Sequence, residues 1–422
     1  MINKQSLRGG TLPLAQVGSG TPSQPVKMYR DDFVQNTHAH FAHLRQEQPV
    51  AKAKMTRWQT VYLINRYADV VAALKDERIV KNPKAVSAGG RGDGMPWMPK
   101  AFEPLLHNML NMDDPDHRRL RNLVHKAFTP RMIMGLAERI ETIANELLDA
   151  AIAQERVDLI KAFAMPLPVT VIAELIGVPA ADRMYFRRLT ERIIVSPTPL
   201  NMIGAIPAVW QFLRYIRGLA DQRRADPQED LLTALIQAED AGEQLTEDEL
   251  LGMVFLLLVA GHETTVNLIG NGTLALLNNP AQLELLRNNP DLAESAVEEL
   301  LRYDSPVMTA EMGFAREEMT LHGVTIPKGA TVLPALLSAN RDETVFANAD
   351  QLDLTRSPNR HLAFGQGIHY CLGSPLARLE GKIAFNALLA RAPALRLAVE
   401  PAQIKYRNVM ILHGLTALPV CM

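Results

Sequence analysis

Cys371 stands in the run His361-Leu-Ala-Phe-Gly-Gln-Gly-Ile-His-Tyr-Cys-Leu-Gly-Ser-Pro375, among Gly365, Gly367 and Gly373 and just ahead of a predicted helix from Pro375. Glycines let backbone N–H groups approach sulfur, and a helix N-terminus favours negative charge, so this setting suits a thiolate acting as ligand or nucleophile. A second group lies inside an apolar segment, Ala260-Gly-His-Glu-Thr-Thr265. Gly261 costs about 1 kcal/mol in a helix interior, and four consecutive polar residues break the apolar face, as happens where a helix serves a site. His262 does not make a zinc motif, because the position completing H-E-x-x-H is Val266. Two further groups carry charge at helical spacing: Glu299-Leu-Leu-Arg302, and Asn111-Met-Asp-Asp-Pro-Asp-His-Arg-Arg-Leu-Arg121, in which His117 and Arg121 share a face.

The elements that must position these groups are mostly helical. Apolar residues recur at helical spacing from about Met132 to Gln154 and from Ala208 to Arg223. Thr246-Glu-Asp-Glu249 is a capping box opening a helix to about Leu277, roughly 45 Å long at 1.5 Å per residue. Another helix follows Asn289-Pro290 and ends near Tyr303. Strand signals are short: Thr60–Ile64, Met319–Ile326 and Ala330–Leu333, the last two separated by a turn at Pro327-Lys-Gly329. Asn82–Pro99 and Asn340–Asn359 are irregular by composition. The fold class is mainly α with a small β portion.

With 422 residues, 47% apolar and 21% charged, the chain has the profile of a folded globular protein. A formal net charge of -2 gives no general attraction to nucleic acid or anionic membrane. Two cysteines, Cys371 and Cys421, exclude a disulfide scaffold and point to a reducing, cytoplasmic location. Residues 1–25 are expected to be a flexible leader without a signal-peptide core, followed by one domain over 26–422. Leu250–Gly261, the most apolar stretch, is too short to span a bilayer before His262 and Glu263. His38, His40 and His43 have metal-like spacing but fit an early surface helix better.

Phe364-Gly-Gln-Gly-Ile-His-Tyr-Cys-Leu-Gly373 resembles the haem-thiolate signature of cytochromes P450, F-G-x-G-x-[H/R]-x-C-x-G, at every defined position. The resemblance implies the cytochrome P450 fold and haem b, with Cys371 as the axial metal ligand and His369 directed at a propionate; Phe364, Gly365 and Gly373 complete the cofactor loop. Thiolate ligation favours O–O cleavage. Ala260–Thr265 resembles the family's oxygen-activation motif. By that resemblance Ala260 and Gly261 flank a groove for O2, Thr264 hydrogen-bonds the oxygen being activated, and Glu263 gates proton delivery. Glu299 and Arg302 resemble the E-x-x-R pair, with Arg356 as third member, and His117 and Arg121 match positions that grip propionates. One departure stands out. Bacterial members usually carry a propionate-binding arginine where this chain has Gly313, and Arg316 follows three residues late.

The implied activity is a monooxygenase inserting one atom of O2 into an apolar small molecule such as a terpenoid, fatty acid, steroid or polyketide. Electrons would come from NAD(P)H through a separate ferredoxin or flavodoxin with its reductase, and the protein would be a monomer with no nucleic-acid or membrane partner. Arg118, Arg119 and Lys126 are candidates for the docking face. The substrate should be lined by 84–110, 184–210, 257–265, 306–314 and 409–413; their few charges include Arg187, Arg188 and Arg192, and Met95, Met98, Met109, Met112, Met184 and Met202 add adaptable apolar surface. An H2O2-driven peroxygenase and a non-catalytic haem sensor are the alternatives. Glu263 and Thr264 argue against both, since neither needs that acid–alcohol pair.

Overall fold

The computed structural model describes residues 25–86, 99–193, 199–239, 242–409 and 411–422. The expected leader up to residue 24, together with Met95 and Met98, lies outside them. Eight helices build the body around the site: α1 (Asp116–Ala127), α2 (Ala137–Ile152), α3 (Pro166–Ile176), α4 (Arg183–Ile193), α5 (Pro199–Ala225), α6 (Glu247–Leu277), α7 (Ala293–Tyr303) and α8 (Ser374–Arg391). The predicted α6 begins as its capping box dictates. Thr246 Oγ1 accepts from the Glu249 N–H, and the Glu249 carboxylate accepts from the Thr246 N–H at 2.8 Å. Its full length and apolarity would suffice to cross a membrane, but most of it is buried within the protein, between α3, α7 and α8. A helix apolar on all sides is a core helix when other helices surround it.

Six short strands form the larger sheet: β1 (Val26–Lys27), β2 (Val50–Lys54), β3 (Thr60–Ile64), β4 (Ile79–Val80), β5 (Gly313–Ala315) and β6 (Thr331–Pro334), in the order β1-β2-β3-β6-β5-β4. β3 runs parallel to β6, while β5 is antiparallel to both β6 and β4. Val61 and Leu63 face one apolar cluster and Tyr62 and Ile64 another. The sheet is thus covered on both faces, which accounts for a continuous apolar run rather than an alternating one. The expected single strand over Met319–Ile326 is instead a hairpin. Met319–Leu321 pairs with Val324–Ile326, and the chain reverses at His322 (φ 50°) and Gly323 (φ 76°), both left-handed. The Pro327-Lys-Gly329 turn then leads to β6 in the other sheet.

The three N-terminal histidines do not converge. His40 Nε2 lies 3.0 Å from Asp32 Oδ2, whereas His38 reaches across to Asp304, 2.8 Å away. Asp304 also lies 3.0 Å from His413 Nε2 and accepts from the Tyr406 hydroxyl at 3.1 Å. Tyr406 and His413 stack at 4.2 Å. These contacts hold the C-terminal segment against α7 and the N-terminal helix Thr37–Glu47.

Candidate active site

Cys371 sits at the end of a loop whose shape depends on glycine. Gly365 and Gly367 have φ of 68° and 76°, and a Cβ on Gly367 would come within 2.6 Å of the Leu74 carbonyl oxygen. The Cys371 N–H donates to the Phe364 carbonyl at 2.9 Å, closing the loop before α8 begins at Ser374. The Gly373 N–H lies at the sulfur, as expected. The expectation that this setting ionises the thiol is not met by the chain alone. Burial pushes the Cys371 thiol up, and the Gly373 N–H and the Arg121 charge offset this only in part. A coordinated metal cation would reverse the balance, because a coordinating thiol is deprotonated outright.

The sulfur opens on a cavity of about 850 Å³. Ala260, Gly261 and Thr264 of α6 line the same cavity, as do His117, Phe364, Gly365, His369 and Gly373. Its remaining walls are mainly apolar, with Ile172, Leu256, Leu257, Leu268 and Leu376 among them. Thr264 Oγ1 donates to the Ala260 carbonyl at 2.7 Å. Glu263 is turned off the cavity: its carboxylate accepts from Arg407 Nη2 at 2.9 Å, and the same guanidinium donates to Asn267 Oδ1 at 3.0 Å. The side chain that would gate protons therefore touches the C-terminal segment, and the alcohol beside it touches the cavity.

His117 is 2% exposed; its Nδ1 lies 3.6 Å from Asp114 Oδ1, longer than a hydrogen bond, and its Nε2 has no hydrogen-bond partner. Its ring lies 4.4 Å from that of His369. Burial and the Arg121 charge lower the His117 pKa. His369 falls further, to about 3, from burial first and then from the charges of Lys81 and its neighbours. Both rings are neutral at neutral pH. Arg121 does not line the cavity: it donates to the carbonyls of Ile368 (2.9 Å) and Tyr370 (2.7 Å), gripping the cysteine loop from α1.

Beneath the loop, the Glu299–Arg302 pair is fully buried, not the exposed helix pair that its spacing alone would suggest. Arg302 donates to both carboxylate oxygens at 2.8 Å, and Arg356 Nε adds contacts at 3.1 and 3.2 Å. A neighbouring network had no distinguishing sequence signal. Glu298 takes a two-pronged ion pair from Arg378 and lies 3.0 Å from His361 Nε2. Burial would raise the Glu298 carboxyl, but these partners bring it down to about 2. Arg378 also covers the face of Phe364 at 4.5 Å, tying α7 and α8 to the loop.

Several expected lining segments are elsewhere. Among the described residues, none from 184–210 or 409–413 reaches the cavity. α4 and α5 bury their apolar faces against each other and the core, with Phe186 and Phe212 at 6.0 Å, while His413 is held by Asp304. Of the candidate docking cations, Arg118 pairs with Asp114 yet stays 74% exposed, while Arg119 is held by Glu243 and Glu249. Sequence reasoning also missed two carboxyls on the cavity wall, the buried Glu380 and the half-buried Glu311. Burial pushes Glu380 up to about 8, against a hydrogen bond from Thr265, and pushes Glu311 up to about 7, against the Lys81 charge.

A family model described as "Cytochrome P450" matches residues 211–392. The polyketide biosynthesis cytochrome P450 PksS of Bacillus subtilis (strain 168) is 44% identical over 392 residues, covering 92% of this chain and 96% of the relative. The chain belongs to the cytochrome P450 family. The solved structure of PksS superposes with a TM-score of 0.88 at 43% identity, covering 93% of this chain and 98% of that one. A myxobacterial P450, CYP267B1, solved in complex with myristic acid, superposes at 0.86 with 40% identity over 93% and 98%. P450 proteins bind haem b. The residues present fit that group: a thiol at a mainly apolar cavity would provide a soft metal ligand, and the buried Nε2 of His117 on the cavity wall has no hydrogen-bond partner.

Proposed function

We propose that this P450 monooxygenase holds haem b through Cys371, with His117 and His369 toward the propionates, and delivers protons through Glu263 and Thr264. The observation that carries the reading is that Cys371 and Thr264 open on one mainly apolar cavity while Glu263 stays outside it. When bound, haem supplies the redox-active iron at which O2 is reduced and cleaved. The chain's own part is to position and to meter protons. Thr264 commits its hydrogen to Ala260, which leaves the oxygen lone pairs free to accept a hydrogen bond within the cavity. Glu263 is held by Arg407, whose side chain is 28% exposed. The Glu263 carboxylate, on leaving Arg407, takes a proton from solvent on the exposed side, swings toward Thr264 and gives that proton up there, returning ionised to Arg407, so that protons enter one at a time without bulk water. Arg121 and Arg378 hold the cysteine loop, and Glu299 with Arg302 fixes the segment behind it.

The substrate is an apolar small molecule of the size of a macrolide or a long acyl chain. Support comes from the mainly apolar lining of the cavity beside α6, and from relatives that act in polyketide biosynthesis or bind myristic acid. Electrons come from separate ferredoxin- or flavodoxin-type proteins in the cytoplasm. Ile368 and Tyr370, flanking His369 on the cysteine loop, are exposed, so a docked partner would lie only a loop's thickness from the thiolate.

The test is spectroscopic and then catalytic. The reduced protein with CO should show the absorption of thiolate ligation, and Cys371→Ser should abolish it. With NADPH, a ferredoxin and its reductase, an apolar compound whose binding shifts the Soret band should gain one atom of labelled O2. Turnover with peroxide alone, and none with the redox proteins, would establish the peroxygenase alternative instead.

A further inference from the structure

Gly313 is where this chain departs from its family, and the structure shows what fills the space. Gly313 opens β5, which is antiparallel to β4 with Ile79 opposite Ala315 and Val80 opposite Phe314. One more step in that register sets Lys81 opposite Gly313. A Cβ on Gly313 would lie 2.3 Å from Ile79 Cγ2, so the β4 side chains occupy room that a larger residue would take.

Lys81 is fixed at three points. Its N–H donates to Asp113 Oδ1 at 2.7 Å, and the Asn82 N–H donates to Asp113 Oδ2 at 3.0 Å, so the backbone is tied to the approach to α1. Its ammonium donates to the Glu311 carbonyl at 2.7 Å and, more weakly, to that of Met312 at 3.5 Å. An ammonium has three donors, so one remains. Lys81 lines the cavity together with His117 and His369, and its charge is felt at the His369 ring. Arg316 lines the cavity too, but it is exposed.

We propose that Lys81, reaching in from β4, is the cation that binds a haem propionate in place of the arginine missing at Gly313. This rests on the haem-thiolate reading above. The facing charges are mixed. Asp76, Glu77, Asp113, Asp114, Glu311 and Glu380 line the cavity along with Lys75, Lys81, His117, His369 and Arg316. Asp113 is engaged by backbone N–H groups, and burial pushes the Glu311 carboxyl up to about 7, which mutes its opposition to a propionate. Lys81 is the cavity-lining cation held in place by hydrogen bonds from two directions.

The test uses Lys81→Gln, which keeps a donor for the Glu311 carbonyl but removes the charge. Transfer of haem from the holoprotein to an excess of a haem-scavenging apoprotein should be at least about tenfold faster, the change expected for a lost hydrogen bond to a charged group. The midpoint potential should fall, because an uncompensated anion stabilises the ferric state. Lys81→Arg should restore both, and Arg316→Gln should leave both unchanged. If Lys81→Gln takes up no haem, Lys81→Arg decides: normal loading and potential support the proposal, and failure of both variants overturns it. Transfer and potential at parental values in Lys81→Gln, or the same losses in Arg316→Gln, also overturn it. Persistence of the thiolate–CO absorption in Cys371→Ser would instead sink the haem-thiolate reading itself.

Discussion

Replacing Glu299 by Gln should destabilise the protein severely. The carboxylate accepts from Arg302 Nε and Nη2, Arg356 Nε, the Asp353 N–H and Asn359 Nδ2, all within 3.2 Å. Glu299 and Arg302 are both 0% exposed, so water replaces none of these contacts. Gln retains one acceptor oxygen and turns an amide donor toward guanidinium donors. Breaking a buried ion pair by removing one partner costs about 3–5 kcal/mol. Here a second arginine loses its partner as well, which places the expected loss at the upper end of that range. Against a total of about 5–15 kcal/mol for a folded domain, this is enough to leave a measurable unfolded fraction at 37 °C. Urea unfolding followed by circular dichroism, on parent and variant, gives the difference. Part of it should return in Glu299→Met/Arg302→Met, which strands one guanidinium instead of two: Arg356 loses its carboxylate but keeps the Ala347 carbonyl at 2.8 Å. A loss below about 1 kcal/mol for the single variant, or a double variant no more stable than the single one, would refute the stranded-charge argument.

Glu380 offers a pH test. Its carboxyl holds a proton to about pH 8 when folded but only to about 4.5 when unfolded. The unfolded state therefore binds fewer protons in that window, and stability should fall as pH rises from about 4.5 to 8. Glu380→Gln should flatten that slope in urea titrations and gain roughly a few kcal/mol at pH 8; an unchanged slope would assign it to another group. Arg407→Leu should release Glu263 from its fixed position, lower product per NADPH consumed, and slow turnover about ten- to a hundredfold. Parental coupling and an unchanged solvent isotope effect would remove Arg407 from the proton path.

Much of this architecture was legible because local signals and function coincided. The Thr246–Glu249 box set the start of α6, and the glycines around Cys371 marked the loop whose left-handed residues the structure displays. The sheet was harder. β5 has no alternation to betray it, β2 alternates only between alanine and lysine, residues with weak strand preference, and the His322-Gly323 reversal was hidden inside an apolar-looking run. Within the site, what sequence could not show was where charges meet. Spacing makes Glu299 and Arg302 an ordinary helix pair; only tertiary burial makes them a lock. Arg407 and Glu263, or Lys81 and the Glu311 carbonyl, are far apart in the chain and join no motif. The thiol shows the converse. A favourable local setting was visible, but the burial that opposes ionisation is a property of the folded whole.

The contacts that anchor the C-terminal segment bear on how the chain is made. Gln35 and Tyr406, which exchange side chain and backbone hydrogen bonds, are 371 residues apart, and the last strand, Pro419–Cys421, pairs with Arg156–Asp158. On a ribosome adding about 5–20 residues per second, the short helix Asp31–Gln35 waits tens of seconds for its partner. Until then Asp304 lacks His413 and Tyr406, and Glu263 lacks Arg407. The nascent protein must spend that interval with its proton gate unassembled and part of its core open. Cofactor insertion that follows release of the finished chain would avoid exposing iron to oxygen before the gate exists.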